Sequence, residues 1–248
     1  MDPTTISASE TSAEGSSETP SPLLRGRLET LEPAVSCLAF GAAYVYSPHG
    51  TGPGCSRSRL LRARLKSCDT QWLSRYVDCV QDEIQGGSRL ALLFGDDVVL
   101  VPIPPCSASG DKGTEAPWVA LRLAELLCET GLATAVVPAL ARRALVRKSA
   151  TAAPGQRPTV LQHYRSFSCD AEALAGHRGA RLLLVDDIVT KGRTCLAAAW
   201  RVQESCPAAS IRAFALLRTM SFTGQLRRLF DPCLGQITWA RGDANRYP

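Results

Sequence analysis

The segment LLLVDDIVTKGRT, residues 182–194, joins an apolar run, two acidic residues, a Gly-containing turn and the start of a helix. Four consecutive apolar residues are typical of a strand that is buried on both faces of a parallel sheet. Asp186 and Asp187 follow this strand at its carboxyl end, where open α/β sheets bind their ligands. A helix is predicted from Cys195 to Glu204. The segment therefore predicts a ligand site where a parallel sheet meets a helix.

The turn before this helix, residues 190–194, has the features of an oxyanion-binding cradle. The first N–H groups of a helix have no partner within it, and the helix dipole favours negative charge there. Thr190 and Thr194 add hydroxyl donors, and Gly192 lets the backbone approach an anion closely. Because carboxylates do not bind phosphate, the acidic pair would hold sugar hydroxyls or a metal ion of the same ligand. The alternative is an ordinary strand–turn–helix in which acidic residues cap the helix.

This segment resembles the phosphoribosyl-diphosphate (PRPP) binding motif of type I phosphoribosyltransferases. The resemblance implies an α/β fold, with an open parallel sheet flanked by helices. It implies that Asp186 and Asp187 contact the 2- and 3-hydroxyls of ribose. The 5-phosphate would be bound by the turn that follows, which comprises Thr190, Lys191, Gly192, Arg193 and Thr194.

The turn departs from the family pattern in its charge and at Thr190. Lys191 stands where the family often has a small residue, and Arg193 also adds positive charge; each either strengthens phosphate binding or faces solvent. Thr190 stands where 6-oxopurine salvage enzymes carry an aspartate that acts near the purine ring. Its presence argues against hypoxanthine or guanine as the acceptor.

An earlier apolar run, from Val98 to Ile103, corresponds to the family strand that precedes the diphosphate-binding loop. The resemblance implies that this loop contacts diphosphate through Pro104, Cys106, Ser107 and Lys112. The sequence Val-Pro-Ile-Pro at 101–104 is similar to an element of the ComF-like branch, which is linked to DNA uptake. Lys112 is either a diphosphate contact or a solvated loop residue.

The polar segment from Arg142 to Arg165 corresponds to a mobile hood that closes over PRPP in many members of the family. Six basic residues and no acidic one lie between residues 130 and 169. Closure of a hood brings a cation to the leaving diphosphate and excludes water. Arg147 and Lys148 are the candidates for that cation. The alternative is a basic face that is merely solvated.

Strand and helix patterns alternate along the chain, which predicts a parallel sheet. Besides the segments above, a strand is predicted at 39–46 and 211–217, and helical periodicity at 60–84 and 117–130. Residues 1–22 are acidic and rich in Ser and Thr, and they predict a disordered tail. Residues 23–89 form either the first segment of the domain or a cap, and 90–248 the phosphoribosyltransferase-like domain.

The chain has 248 residues and a net charge of +5, but residues 140–248 alone carry +10. Of its 28 basic residues 24 are Arg, whose forked guanidinium favours phosphate-bearing partners. No stretch of 18 apolar residues or secretory signal pattern is present, so we expect a cytoplasmic protein without a membrane span. The ten cysteines form no C-x-x-C pair, which indicates reduced thiols and no metal cluster.

The resemblance implies an enzyme that binds PRPP with Mg²⁺ and transfers its phosphoribosyl group to a nitrogen acceptor, releasing diphosphate. The sequence does not identify that acceptor, and family members are commonly homodimers. The alternative is a protein that senses PRPP without turnover, or one linked to nucleic acid. The basic stretch from Arg57 to Lys66 keeps nucleic acid open as a partner, since phosphate contacts dominate such binding. Few aromatic residues accompany it, which weakens that alternative.

Overall fold

The computed structural model describes residues 35–106, 117–144, 157–177, 179–220 and 224–248. Its strands are β1 (Cys37–Tyr46), β2 (Val98–Pro102), β3 (Ala135–Val136), β4 (Leu140–Arg142), β5 (Phe167–Cys169), β6 (Arg181–Val189), β7 (Ser210–Thr219), β8 (Phe230–Ala240) and β9 (Asp243–Tyr247). Its α-helices are α1 (Pro53–Lys66), α2 (Thr70–Gln85), α3 (Val119–Glu129), α4 (Val160–Ser166), α5 (Ala171–Ala175) and α6 (Arg193–Ser205). A 3₁₀-helix spans Arg89–Leu93.

The central sheet has the strand order β3-β2-β6-β7-β1-β8-β9. The first five of these strands are parallel to one another, and β8 and β9 extend the sheet as an antiparallel hairpin. β4 and β5 form a separate two-stranded antiparallel sheet. The predicted α/β fold, with a mostly parallel sheet flanked by helices, is therefore confirmed.

Strand β6 is buried on both faces, and its side chains alternate between two apolar cores. Leu182 and Leu184 pack in the core that contains α4 and α6. Leu183 and Val185 pack in the core that contains α1, α2 and α3. Because neighbouring residues of a strand point to opposite faces, an uninterrupted apolar run is what a strand between two helix layers requires. Helix α6 contributes three fully buried alanines at 197–199 to the first of these cores.

The first strand in the described part of the chain, β1, is an inner strand of the sheet. β1 pairs in parallel with β7 and antiparallel with β8, so the segment before α1 is hydrogen-bonded on both of its edges. Among the described residues, no helix is both long enough and apolar enough to cross a membrane. The proposed tail at 1–22 lies outside the described residues.

Three elements differ from the sequence prediction. The helical periodicity of 60–84 is divided into two helices, because Cys68 has a left-handed backbone (φ 55°) and Asp69 caps α2 by accepting from the N–H of Gln71. The polar segment that begins at Arg142 leads into α4, which begins with a capping box at Thr159. The hairpin β8–β9 was not predicted from the sequence.

Candidate functional site

The chain reverses its direction of winding between β2 and β6. From β2 the chain passes through α3 to β3 on one side, and from β6 it passes through α6 to β7 on the other. The two connecting helices pack on opposite faces of the sheet. In doubly wound sheets, ligands bind at such a reversal, outside the carboxyl ends of the strands. The acidic pair of β6 and the loop after β2 both lie at this point.

Asp186 and Asp187 lie within β6 rather than beyond its end, because the strand continues to Val189 along β7. The prediction that the strand ends at Val185 was wrong: only its pairing with β2 ends there, opposite Pro102. Strand alternation then separates the two side chains. Asp186 lies on the α6 face of the sheet, and Asp187 lies on the α1 face.

Contacts on the two faces agree with this alternation. On the α6 face, the thiol of Cys195 donates to Asp186 Oδ2 at 3.8 Å. On the other face, the ammonium of Lys66, the last residue of α1, forms an ion pair with Asp187 Oδ2. The two carboxylates remain linked through the backbone, since the N–H of Asp187 donates to Asp186 Oδ1 at 2.8 Å.

Burial raises the pKa of the Asp186 carboxyl above its ordinary value, and the neighbouring Asp187 acts in the same direction. Lys66, the N–H of Asp187 and Arg142 oppose this shift. Burial and the adjacent carboxylate likewise raise the pKa of the Cys195 thiol, so that it stays protonated and can donate. Groups with such perturbed pKa values, placed at the ligand-binding edge of a sheet, are typical of functional sites.

Lys66 is a site residue that the sequence reasoning did not find. It belongs to the basic stretch at 57–66, which had suggested nucleic acid. In the structure, Arg59 donates to the carbonyl of Gly50 at 2.9 Å, and the Arg64 guanidinium lies 3.5 Å from the centre of the Trp72 ring. These cations are thus divided among contacts within the protein. No local signal relates Lys66 to Asp187, because 121 positions separate them.

Gly192 is the N-cap of α6 and has a left-handed backbone, with φ 83°. No side chain caps this helix, so Asp186 and Asp187 do not serve as its caps. Ile237 of β8 packs directly over Gly192, where an added Cβ would lie 2.6 Å from Ile237 Cδ1. Thr190 at the start of the turn shares a 3.0 Å hydrogen bond with Thr219 at the end of β7. The predicted turn is therefore formed, with a glycine where its geometry demands one.

Lys191 and Arg193 both pair with Asp243, the first residue of β9. The Arg193 Nε and Nη2 atoms donate to the two Asp243 oxygens at 2.5 and 2.6 Å, and Lys191 Nζ lies 3.1 Å from Oδ2. Burial alone would raise the pKa of Asp243, but these hydrogen bonds outweigh it and lower that pKa to about 2. Two cations that were predicted to meet a phosphate thus already have a carboxylate partner.

The loop after β2 meets the end of β4 through a half-buried arginine. Arg142 Nη2 donates to Cys106 Sγ at 3.7 Å, and its guanidinium lies 3.8 Å from the centre of the Phe167 ring. Burial lowers the pKa of this guanidinium. Pro104 and Cys106, predicted for diphosphate, therefore lie at the same edge as the acidic pair. Ser107 and Lys112, from the same prediction, lie outside the described residues.

The hood candidates Arg147 and Lys148 also lie outside the described residues. The elements on either side of that segment are described, and they contact each other. Arg142 Nη1 donates to the hydroxyl of Ser166 and lies 3.4 Å from Nδ1 of His163. His163 is fully buried, and burial, with Arg142 and Arg193 nearby, lowers its pKa to about 4. It is a neutral core residue at physiological pH.

Within the described ranges, no cluster of three or more His, Cys, Asp or Glu side chains could hold a metal ion. Two adjacent carboxylates remain, at 186 and 187, and Mg²⁺ is commonly held by one or two carboxylates together with substrate phosphates. Although the two lie on opposite faces of β6, either one would suit Mg²⁺ that arrives with a phosphorylated ligand.

Comparison with models of known protein families and with curated proteins finds no match to this chain.

Replacing Gly192 with alanine should destabilise the protein by about 2–4 kcal/mol, since it combines a strained backbone with a contact against Ile237. Gly242 provides the matched control: its φ is 76°, and an added Cβ would meet nothing within 4 Å. Gly242→Ala should cost only the backbone term, about 1 kcal/mol. Urea denaturation of both variants measures the difference; equal losses would show that Ile237 does not constrain the turn.

The buried His163 should make stability depend on pH. Its folded-state pKa of about 4 lies below the ordinary value of 6.5, so the unfolded chain binds the proton more readily. The stabilisation is complete above pH 6.5 and is lost as the pH falls towards 4. From pH 7 to pH 5, the wild-type chain should lose about 2 kcal/mol more unfolding free energy than His163→Gln. Parallel pH-dependence in the two chains would contradict this assignment.

Proposed function

We propose that this protein binds PRPP at the reversal between β2 and β6 and acts as a type I phosphoribosyltransferase. One observation carries the proposal: an acidic pair that can bind hydroxyls and a turn that can bind an oxyanion lie on one strand–turn–helix unit at that reversal. A sugar phosphate carries hydroxyls for the acidic pair and a phosphate for the turn on one small molecule. The resemblance of residues 182–194 to the family motif is the reason for proposing PRPP as that sugar phosphate.

In this proposal the 5-phosphate is held mainly by neutral donors. The first N–H groups of α6 point out of the helix at Gly192, and the hydroxyls of Thr190 and Thr194 flank them. Lys191 and Arg193 add their charge from the side, because their nitrogen atoms are hydrogen-bonded to Asp243. The ribose would lie across β6, so that one hydroxyl donates to Asp186 on the α6 face and the other to Asp187 on the α1 face. Without ligand, Lys66 forms an ion pair with Asp187. In this proposal a ribose hydroxyl replaces the Lys66 ammonium as the partner of that carboxylate.

Mg²⁺ would be bound through the oxygen atoms of PRPP, with Asp186 and Asp187 as the protein groups within reach. When bound, the ion offsets negative charge on the diphosphate as it leaves. Burial favours the protonated form of Asp186. We therefore expect Mg²⁺–PRPP binding to strengthen as the pH rises, since a metal ion and a ribose hydroxyl both require the ionised carboxylate.

The transfer step displaces diphosphate from C1 of ribose: the C1–O bond breaks, and a C1–N bond to the acceptor forms. Positive charge develops on the ribose ring and negative charge on diphosphate, so the protein contributes by placing both substrates and by stabilising charge. Arg142 contacts the loop after β2, where the diphosphate would lie, and is the cation proposed to face it. No covalent nucleophile is required in this mechanism.

The alternative of a nucleic-acid-linked protein has less support. Three of the α1 cations that suggested it, Arg59, Arg64 and Lys66, contact a backbone carbonyl, an aromatic ring and Asp187 respectively. A protein that binds PRPP without turnover uses the same site and differs only in the absence of a product.

Calorimetric titration with PRPP and Mg²⁺ tests the binding step. The wild-type chain should bind, and Asp187→Asn should bind about tenfold more weakly or worse, since a hydrogen bond to a charged group is lost. Asp231→Asn is the control, because that carboxylate pairs with Arg218 instead. An absence of wild-type binding at millimolar PRPP would overturn the proposal, and equal affinities would remove Asp187 from the site.

A diphosphate-release screen over nitrogen bases, with and without DNA, then separates the two forms of the proposal. Release with one acceptor supports the transferase. Binding without release across the panel supports the sensing alternative, and DNA-dependent release supports a link to nucleic acid. Thermal melting of each variant, compared with wild type, distinguishes a lost contact from a lost fold.

A further inference from the structure

The β8–β9 hairpin contacts four consecutive residues of the turn at 190–193. Asp243 accepts hydrogen bonds from Lys191 and Arg193, as described above. From the same strand, Arg246 Nε donates to the carbonyl oxygen of Thr190 at 2.7 Å, and its Nη2 donates to that of Thr219 at 2.6 Å. From β8, the fully buried Ile237 covers the Cα of Gly192.

These contacts fix the ends as well as the centre of the turn. Arg246 donates to the carbonyl of Thr190, just after β6, and to the carbonyl of Thr219, at the end of β7. One guanidinium therefore joins the ends of two parallel strands. Arg193 extends the network in the other direction, because its Nη1 donates to the carbonyl of Pro158 at 3.0 Å, just before α4. The turn is thereby held between the hairpin and the segment that leads into α4.

The charge of Asp243 has a second effect. Without the Asp243 carboxylate, Lys191 and Arg193 would repel each other, because a single glycine separates them. Either side chain would then be free to cover the first N–H groups of α6. The Asp243 carboxylate draws both side chains to the hairpin side and is bidentate to Arg193, a geometry that restricts orientation as well as distance. With both side chains held by Asp243, the first N–H groups of α6 are left as the donors that the proposed oxyanion site requires.

We propose that the β8–β9 hairpin is the support of the oxyanion-binding turn, and that Asp243 is its positioning residue. Asp243 acts through Lys191 and Arg193 and does not itself contact the ligand, since a carboxylate repels a phosphate. This inference rests on the proposed function for the identity of the ligand. The holding of the turn by Asp243 is a property of the protein alone and can be measured without any ligand.

Hydrogen–deuterium exchange of the amides at 190–196, in the full chain without ligand, tests the holding step. Asp243→Asn should accelerate exchange there about tenfold or more, since charge-assisted hydrogen bonds to two cations are lost. Asp243→Glu, which keeps the charge, should restore part of the protection. Asp231→Asn is the matched control in the same hairpin and should leave these amides unchanged. Unchanged exchange in Asp243→Asn would overturn the proposal.

Titration of the same variants with PRPP and Mg²⁺ tests the consequence for binding. Asp243→Asn should weaken PRPP binding about tenfold, and Asp243→Glu should recover part of it. Tighter binding by Asp243→Asn would overturn the proposal, because Asp243 would then be a competitor for the two cations. If the wild-type chain binds no PRPP, the proposed function fails, while the exchange data still decide whether Asp243 holds the turn.

Should Asp243→Asn fail to fold, Arg246→Gln tests the same support from its other contact. It removes the hydrogen bonds to Thr190 and Thr219 and leaves the charges at 191, 193 and 243 in place. It should accelerate exchange at 190–192 more than at the start of α6. Protection equal to that of wild type throughout 190–196 would overturn the role of the hairpin.

Discussion

The left-handed backbone at Gly192 is the constraint on which the site depends. A residue with a side chain would be strained at φ 83° and would collide with Ile237, so only glycine lets β6 turn directly into α6 beneath the hairpin. This sharp turn places the first N–H groups of the helix six positions after Asp187, the second of the two carboxylates. The same turn brings Lys191 and Arg193 on either side of Gly192 to one carboxylate of β9.

The parts of the fold with local patterns could be predicted from the sequence. The apolar run 182–185 predicted a strand between two layers, and Leu182 and Leu183 do pack in opposite cores. The carboxylates, the turn and α6 follow in the predicted order. β6 extends four residues further than predicted, because Asp186 and Asp187 interrupt the apolar pattern while the backbone continues its pairing with β7. The separation of the two carboxylates to opposite faces follows from that continuation.

The residues that surround the motif could not be predicted in the same way. Lys66, Arg142 and Asp243 reach the site from α1, β4 and β9, and their partners are distant in the sequence. Periodicity identifies the apolar face of a helix or strand. It does not show which charged residues from different elements will come into contact. The positive excess of residues 140–248 had suggested a phosphate partner directly. In the structure, several of these cations instead bind carboxylates and backbone carbonyls of the protein itself. Whether a cation pairs within the protein or binds a phosphate depends on the three-dimensional arrangement of the chain, which the sequence pattern does not give.

The position of the hairpin in the chain has a consequence for synthesis on the ribosome. The five parallel strands, with both acidic residues and the turn itself, are complete once residue 219 has emerged. Ile237, Asp243 and Arg246 emerge later and are the hairpin residues that contact the turn. A nascent chain can therefore assemble most of its core while the turn still lacks these contacts. The β8–β9 hairpin, translated after the five parallel strands, therefore completes a site whose other parts are already in place.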